Sequence, residues 1–223
     1  MGRDLFFESL AAGCYQEVVQ ILFENQNFVF VDKPAEVLST PSRDAHDPRP
    51  CLGRELQNQL GMQIYPVHRL DFEVSGLVLF AKTATAHRLA QSWFEHARVQ
   101  KIYQAISASL PGEFPVDWVD WRSKLVRGKR RSFPAPHGKD SWTRARVVDP
   151  ARRLWELQPV TGRPHQLRVE MHLHGHPIEG DVLYGAPPRA QAGIALRAVS
   201  LDFSRIAERC DLPEKVEAPK LLG

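Results

Sequence analysis

A chain of 223 residues that is 43% hydrophobic and 25% charged is long enough to bury a core and too apolar to be disordered throughout. Its formal net charge of +3 does not by itself argue for a nucleic-acid partner. Three scattered cysteines (Cys14, Cys51, Cys210) without CxxC spacing argue against a disulfide framework or a cysteine zinc site, and no stretch reads as a signal peptide or a membrane span, so a cytoplasmic protein with free thiols is expected.

Met1 to about Phe23 mixes apolar and acidic residues and predicts a short outer helix, an extension ahead of one domain spanning 24–223. NFVFVDKP reads as a strand stopped by Pro34, and the proline-rich stretch from Val37 to Pro50 as a loop. Leu52 to Leu60 predicts a helix ended by Gly61, and Leu77 to Ala81 a buried strand. Thr83 is placed to cap a helix whose apolar stripe is Ala86, Leu89, Ala90, Trp93 and Ala97. Lys101 to Ala108 reads as a strand. The span from about 111 to 141, rich in Pro, Gly and basic residues, reads as an insertion loop or short arm. Trp142 to Val148 and Leu154 to Val160 predict a hairpin joined at Asp149-Pro150-Ala151-Arg152. Thr161 to His174 fits a strand by its alternation of Leu167, Val169, Met171 and Leu173. It fits a helix by its i, i+4 pairs, with Pro164 in the first turn and Gly175 as the stop. Ile194 to Phe203 is a last strand. Strands outnumber helices without regular alternation, which predicts an α+β fold on a mixed, mainly antiparallel sheet with flanking helices.

The run VHRLDFEVSG, Val67 to Gly76, sets His68, Arg69 and Asp71 just ahead of the buried strand, on a turn backed by a rigid element. A lone Asp on a turn is more often a cap or surface residue than a reactive group. Six basic residues, Arg122, Lys124, Arg127, Lys129, Arg130 and Arg131, occupy one stretch without an intervening acid, followed by Lys139, Arg144 and Arg146. A solvated loop explains that run as well as a phosphate-gripping surface does. Trp118, Trp121, Phe133 and Trp142 lie nearby, able to stack on splayed bases or to cover the sheet. His165, His172, His174 and His176 offer the ligand types of a metal site, with His172 and His176 at i, i+4 and Glu170 or Asp181 beside them. The HExxH order is missing and Gly175-His176-Pro177 interrupts the helix, so no metal is expected. Asp181 reads as a brace for the backbone of the GHPIEGD turn.

Read together, VHRLDFEVSG, KIYQAI (Lys101 to Ile106) and TGRPHQLR (Thr161 to Arg168) resemble the RluA family of pseudouridine synthases, over about Phe28 to Phe203. The resemblance implies the pseudouridine synthase fold with a central catalytic cleft, a helix rather than a strand over Thr161 to His174, no S4 RNA-binding domain, and isomerisation of a uridine in tRNA or rRNA. It implies that Asp71 is the catalytic aspartate and that Arg69 fills the space vacated by the flipped base. Tyr103 is implied to stack on the base and assist proton removal from C5, Arg168 to pair with Asp71, and Leu167 to lie against the uracil. His68, Arg130 and Arg131 join the expected substrate-binding set. The reaction moves C1′ from N1 to C5 without redox change, so one ionised carboxylate suffices, attacking the nucleoside or removing a sugar proton, and no cofactor is required. The expected partner is RNA, and the expected state a monomer off the membrane.

Three departures from the family pattern stand out. Val74 replaces the usual Thr, Lys33-Pro34-Ala35-Glu36 replaces a glycine-containing turn, and Arg197 stands where a histidine is common. Two rivals stay open on sequence alone: a noncatalytic RNA-binding protein, and a metal-assisted phosphoesterase built on the histidines.

Overall fold

The computed structural model describes residues 18–109 and 114–221. In chain order the elements are β1 (Ile21–Glu24), β2 (Phe28–Lys33), α1 (Leu52–Leu60), β3 (Tyr65–Pro66), β4 (Ser75–Ala81), α2 (Ala84–Glu95) and β5 (Gln100–Ile106). They continue with β6 (Val119–Arg127), β7 (Ser132–Pro134), β8 (Lys139–Asp149), β9 (Leu154–Pro159), α3 (Gln166–Leu173), a 3-10 turn (Val182–Tyr184), β10 (Leu196–Asp202) and β11 (Lys215–Glu217). One sheet runs β1-β2-β4-β10-β5-β9-β8-β6-β7, with β11 on β10 and β3 on β4. Among the described residues β10 and β4 form the one parallel pair; the other pairs are antiparallel. The α+β architecture on a mixed, mainly antiparallel sheet agrees with the pattern of elements in the sequence.

Local chemistry explains the clearest elements. Thr83 Oγ1 accepts from the Ala86 N–H and starts α2, while Gly61 takes a left-handed φ of 63° and stops α1. The continuous apolar run of β4 is buried because β2 and β10 flank it and α2 covers it. Trp93 of α2 reaches across to Phe28 and Phe203, at 5.6 and 6.1 Å between rings, and Phe203 meets Phe30.

Several expectations are corrected. Most of the predicted N-terminal helix lies outside the described residues, but Ile21 to Glu24 pair with β2 as a strand. Ala97 is exposed with φ 51°, past the end of α2, and does not join its stripe. The expected basic loop is largely sheet: β6 pairs with β7 on one side and β8 on the other. Its cations are solvent-facing residues of regular strands and of the tip at 128–131, so basic residues mask the strand alternation. Pro164 precedes α3, which starts from His165 at φ 53°. The strand-like alternation inside α3 is accidental. Gln166 to Met171 are all buried, so the helix has no solvent stripe to reveal its period.

Gly76, the second residue of β4, has φ 110°, and a Cβ there would lie 2.2 Å from the Ala198 carbonyl oxygen of β10. Gly76→Ala is therefore expected to force β4 and β10 apart and cost roughly 3 kcal/mol. A denaturant midpoint equal to that of the parent chain would refute this account of the β4–β10 junction.

Candidate active site

The loop between β3 and β4 is held at nearly every residue. The Val67 N–H donates to Leu79 O, and His68 Nε2 accepts the Leu79 N–H. Ser39 Oγ both donates to Leu70 O and accepts the Leu70 N–H, each at 3.0 Å. Phe72 O accepts from the Glu36 N–H at 2.8 Å and from Lys33 Nζ at 3.2 Å, and Glu73 O accepts from Ile194 N–H. The backbone on both sides of Asp71 is thus immobilised, while its side chain stays one third exposed. That combination presents a carboxylate at a set position, open to an incoming group.

Facing it is Arg168, 2% exposed, in the first turn of α3. Its Nε and Nη2 donate to the two oxygens of Asp181 at 2.7 and 2.8 Å, a paired bond between groups with almost no access to water. Nη1 is left for the site: it lies 3.5 Å from Asp71 Oδ2 and 3.1 Å from Glu73 Oε2. Burial works against the charge of Arg168, but the bond to Asp181 and the charges of Asp181, Glu73 and Asp71 outweigh it and raise its pKa. The expected pairing with Asp71 is therefore present but secondary. Asp181 is the principal partner, not merely a brace for its turn, and Glu73 is closer to the free guanidinium corner than Asp71 is.

Tyr103 of β5 projects from the same side of the sheet, close enough for the charge of Asp71 to act on it. Burial first, then that charge, push its phenol well above the usual value, so it stays protonated at neutral pH. Leu167 is buried one residue before Arg168. His165, whose Nδ1 lies 3.1 Å from Tyr184 Oη, is pulled down by burial while Asp71 opposes the shift. His68 stacks on Phe94 at 5.0 Å, and burial and the nearby Lys101 lower it to about 3. Its ring is neutral, packed on Phe94 and bonded through Nε2 to the Leu79 N–H. Arg69 is an exposed residue of the loop itself, and Arg130 and Arg131 are exposed at the hairpin tip. That tip is tied to the site: Ser132 Oγ donates to Pro164 O, just ahead of α3, and Ser132 N–H donates to Tyr184 Oη.

The structural roles of two further charges escaped the sequence reading. Lys33, fully buried, donates to the carbonyls of Pro34, Val37 and Phe72. Burial draws it down to about 7 while Asp71 and Glu73 oppose the drop, and three acceptors need the three N–H groups of the ammonium form. Glu170, also fully buried, accepts from Ser123 Oγ of β6 and Ser141 Oγ of β8, fastening α3 to the hairpin. A lysine before proline and a glutamate between apolar helix residues were the available signals, but neither names its partners.

The departures have physical readings. Val74 is 3% exposed within the main apolar cluster, where a methyl fills the place of a hydroxyl. Glu36 adopts φ 59° and its carboxylate accepts the Gly193 N–H, so the turn keeps its left-handed residue without glycine. Arg197 is taken up by Asp32 and the Pro219 carbonyl. Of the four histidines, His165 and His172 meet Tyr184, His174 stacks on Trp121 at 4.2 Å, and His176 lies tilted against Trp155 at 4.7 Å. Among the described residues no group of three His, Cys, Asp or Glu side chains is placed to hold a metal.

A family model described as RNA pseudouridylate synthase matches residues 27–173. The dual-specificity RNA pseudouridine synthase RluA of Vibrio cholerae is 33% identical over 179 residues, covering 77% of this chain and 70% of that protein. Its Pasteurella multocida counterpart is 33% identical over 197 residues, covering 83% and 86%. Among solved structures, human RNA pseudouridylate synthase domain containing 1 superposes with a TM-score of 0.74 at 24% identity, covering 95% of this chain and 86% of that one.

Asp181→Asn keeps the shape but removes the charge that balances a buried guanidinium. It is expected to cost roughly 3 kcal/mol, seen as a lower urea midpoint. An unshifted midpoint would mean that Asp181 does not hold Arg168 in solution.

Proposed function

The chain belongs to the RNA pseudouridylate synthase family, a family of isomerases, and from that premise we propose that it converts a specific uridine in tRNA or ribosomal RNA to pseudouridine with Asp71 as the catalytic carboxylate. The observation that carries this reading is the meeting of Asp71 with the free corner of Arg168, between segments 97 residues apart in sequence.

The reaction breaks the C1′–N1 bond, turns the base, and joins C1′ to C5, with a proton lost from C5. Asp71 begins it, by attack on the nucleoside or by removal of a sugar proton, and either role needs an ionised carboxylate. Arg168 Nη1 sets a positive charge 3.5 Å from Asp71 Oδ2. Because Asp181 already occupies the other edge, the guanidinium cannot swing away to follow Asp71, and the field at the reacting oxygen stays fixed as charge develops. Tyr103, held as a phenol, gives the base a flat surface and a neutral oxygen near C5, and Leu167 supplies an apolar wall. Arg69 enters the stack behind the extruded nucleotide, whose extrusion costs a few kcal/mol. Arg130 and Arg131, beside the entrance, supply phosphate contacts that offset this cost.

The remaining parts of the reading follow from composition. Among the described residues no helix is long and apolar enough to cross a membrane, and Cys51 and Cys210 are unbridged. The reading is completed by a monomeric enzyme of the cytoplasm with one catalytic domain over 24–223 and the basic hairpin as its RNA-gripping arm. The metal-assisted rival has no assembled ligand set in its favour among the described residues, and the noncatalytic rival leaves the Asp71–Arg168–Tyr103 grouping without a use.

Asp71→Asn is expected to reduce pseudouridine formation at least about a thousandfold while RNA affinity stays within about twofold. Mapping pseudouridine in cellular RNA with and without the gene identifies the site, and the purified variant is then assayed on that RNA. Full activity in the variant would refute the assignment of Asp71. Arg130→Glu with Arg131→Glu is expected to weaken binding across RNA sequences and lower the salt dependence by roughly two phosphate contacts. A parent-like salt slope in filter binding would remove the hairpin tip from the RNA-binding surface.

A further inference from the structure

The reaction uses one face of the sheet, and the hairpin has another. Tyr103, Leu157 and Ala145 lie side by side across β5, β9 and β8, and so share a face. On that face Ser141 and Thr143 of β8 bond to Glu170 and Gln166 of α3. The alternate residues, Trp142, Arg144 and Arg146 of β8 with Glu156 and Gln158 of β9, turn to the opposite face. There a groove of about 640 Å³ runs between the hairpin and the turn from α2 to β5, lined by Trp118, Trp142, Arg144, Gln158, Gln100 and Arg205 among others.

The groove joins flat rings to guanidinium groups. Arg122 lies 4.1 Å from the Trp142 ring centre, and Arg144 and Arg146 lie 5.2 and 4.7 Å from that of Trp118. Four arginines (122, 144, 146, 205) face two carboxylates, since Asp120 is near Arg122 and Arg144, and Glu156 pairs with Arg146. A net of two positive charges is left around two indoles. The Trp142 Nε1–H has no acceptor among the described residues. Indoles with interleaved arginines are the surface that single-stranded nucleic acid uses, bases on the rings and phosphates on the cations, with little sequence preference. An acidic protein segment would satisfy the arginines but leave the indole faces without a purpose.

We propose that this outer groove of the hairpin is a second RNA-binding site, which takes a single-stranded segment of the substrate RNA remote from the target uridine. The proposal rests on the reading that the chain acts on RNA. The hairpin makes the connection, because β6 runs from Val119 at the groove to Arg127 at the tip beside α3. Nine residues of strand span about 30 Å. Only an RNA that reaches that far past its uridine gains from the groove, and a minimal stem-loop does not.

The test uses the full chain and fluorescence anisotropy with a twelve-residue oligoadenylate, which has no uridine for the catalytic face. Trp118→Leu and Arg205→Glu are each expected to weaken oligoadenylate binding at least about fivefold. They are also expected to raise KM for a long cellular RNA substrate, leaving kcat and turnover of a minimal stem-loop unchanged. Arg205 has no ion pair among the described residues, so its variant keeps the test valid if Trp118→Leu fails to fold. Oligoadenylate affinity within twofold of the parent in folded variants would overturn the proposal, as would tighter binding of polyglutamate than of oligoadenylate. The two readings fail separately. Pseudouridine formation with groove-independent oligoadenylate binding defeats only the second site, and groove-dependent binding without any pseudouridine product defeats only the catalytic reading.

Discussion

Arg168 carries its charge where water hardly reaches, and Asp181 makes that tolerable. A buried guanidinium with no partner would cost several kcal/mol, more than most small domains can spare. The paired bond to Asp181 removes that penalty and fixes the plane of the guanidinium, so that one corner faces Asp71 and Glu73. The geometry of the candidate site follows from this pair. Because Asp181 lies in the turn after α3 and Arg168 in its first turn, the bond also sets how that turn folds back along the helix.

The same helix is the anchor for the hairpin. Glu170 takes hydrogen bonds from Ser123 and Ser141, and Ser132 is bonded to Pro164 and Tyr184. These contacts are buried and polar, so displacing the hairpin from α3 would leave several groups without partners. The basic tip is therefore held at a set place relative to Arg168, and a grip on phosphates there is also an alignment of the RNA on the carboxylate. Lys33 does for the Asp71 loop what Glu170 does for the hairpin, since its ammonium gathers three carbonyls from two segments.

The departures from the family pattern show which features of such a site are replaceable. Glu36 holds a left-handed turn without glycine because its side chain gains a bond to Gly193. Arg197 is absorbed by Asp32 on the sheet, away from any role in RNA contact that a histidine there would imply. Val74 turns a polar position into core. Each change is compensated within its own neighbourhood; Val74 still gives its N–H to Asp71 O, and among the described residues none of the three side chains hydrogen-bonds to Asp71, Tyr103 or Arg168.

Elements whose signal is local were legible in the chain itself. The Thr83 cap, the Gly61 stop, the apolar run of β4 and the HRLD turn each follow from a few adjacent residues, and they locate Asp71 at the head of a buried strand. Strands β6 and β7 and the start of β8 were not legible, because exposed basic residues occupy their solvent positions and mask the period of two, whereas the rest of β8 and β9 were. Nor was α3 fully legible, since six successive buried residues, Gln166 to Met171, leave most of the helix without a polar stripe. Above all, the partners of charges were undetermined: nothing in GHPIEGD says that its aspartate, and not Asp71, is the main counterion of Arg168. An isolated charge in a sequence shows only that compensation is needed. Which carboxylate supplies it depends on which segments the sheet brings within three ångströms, and that is decided only when the chain is folded.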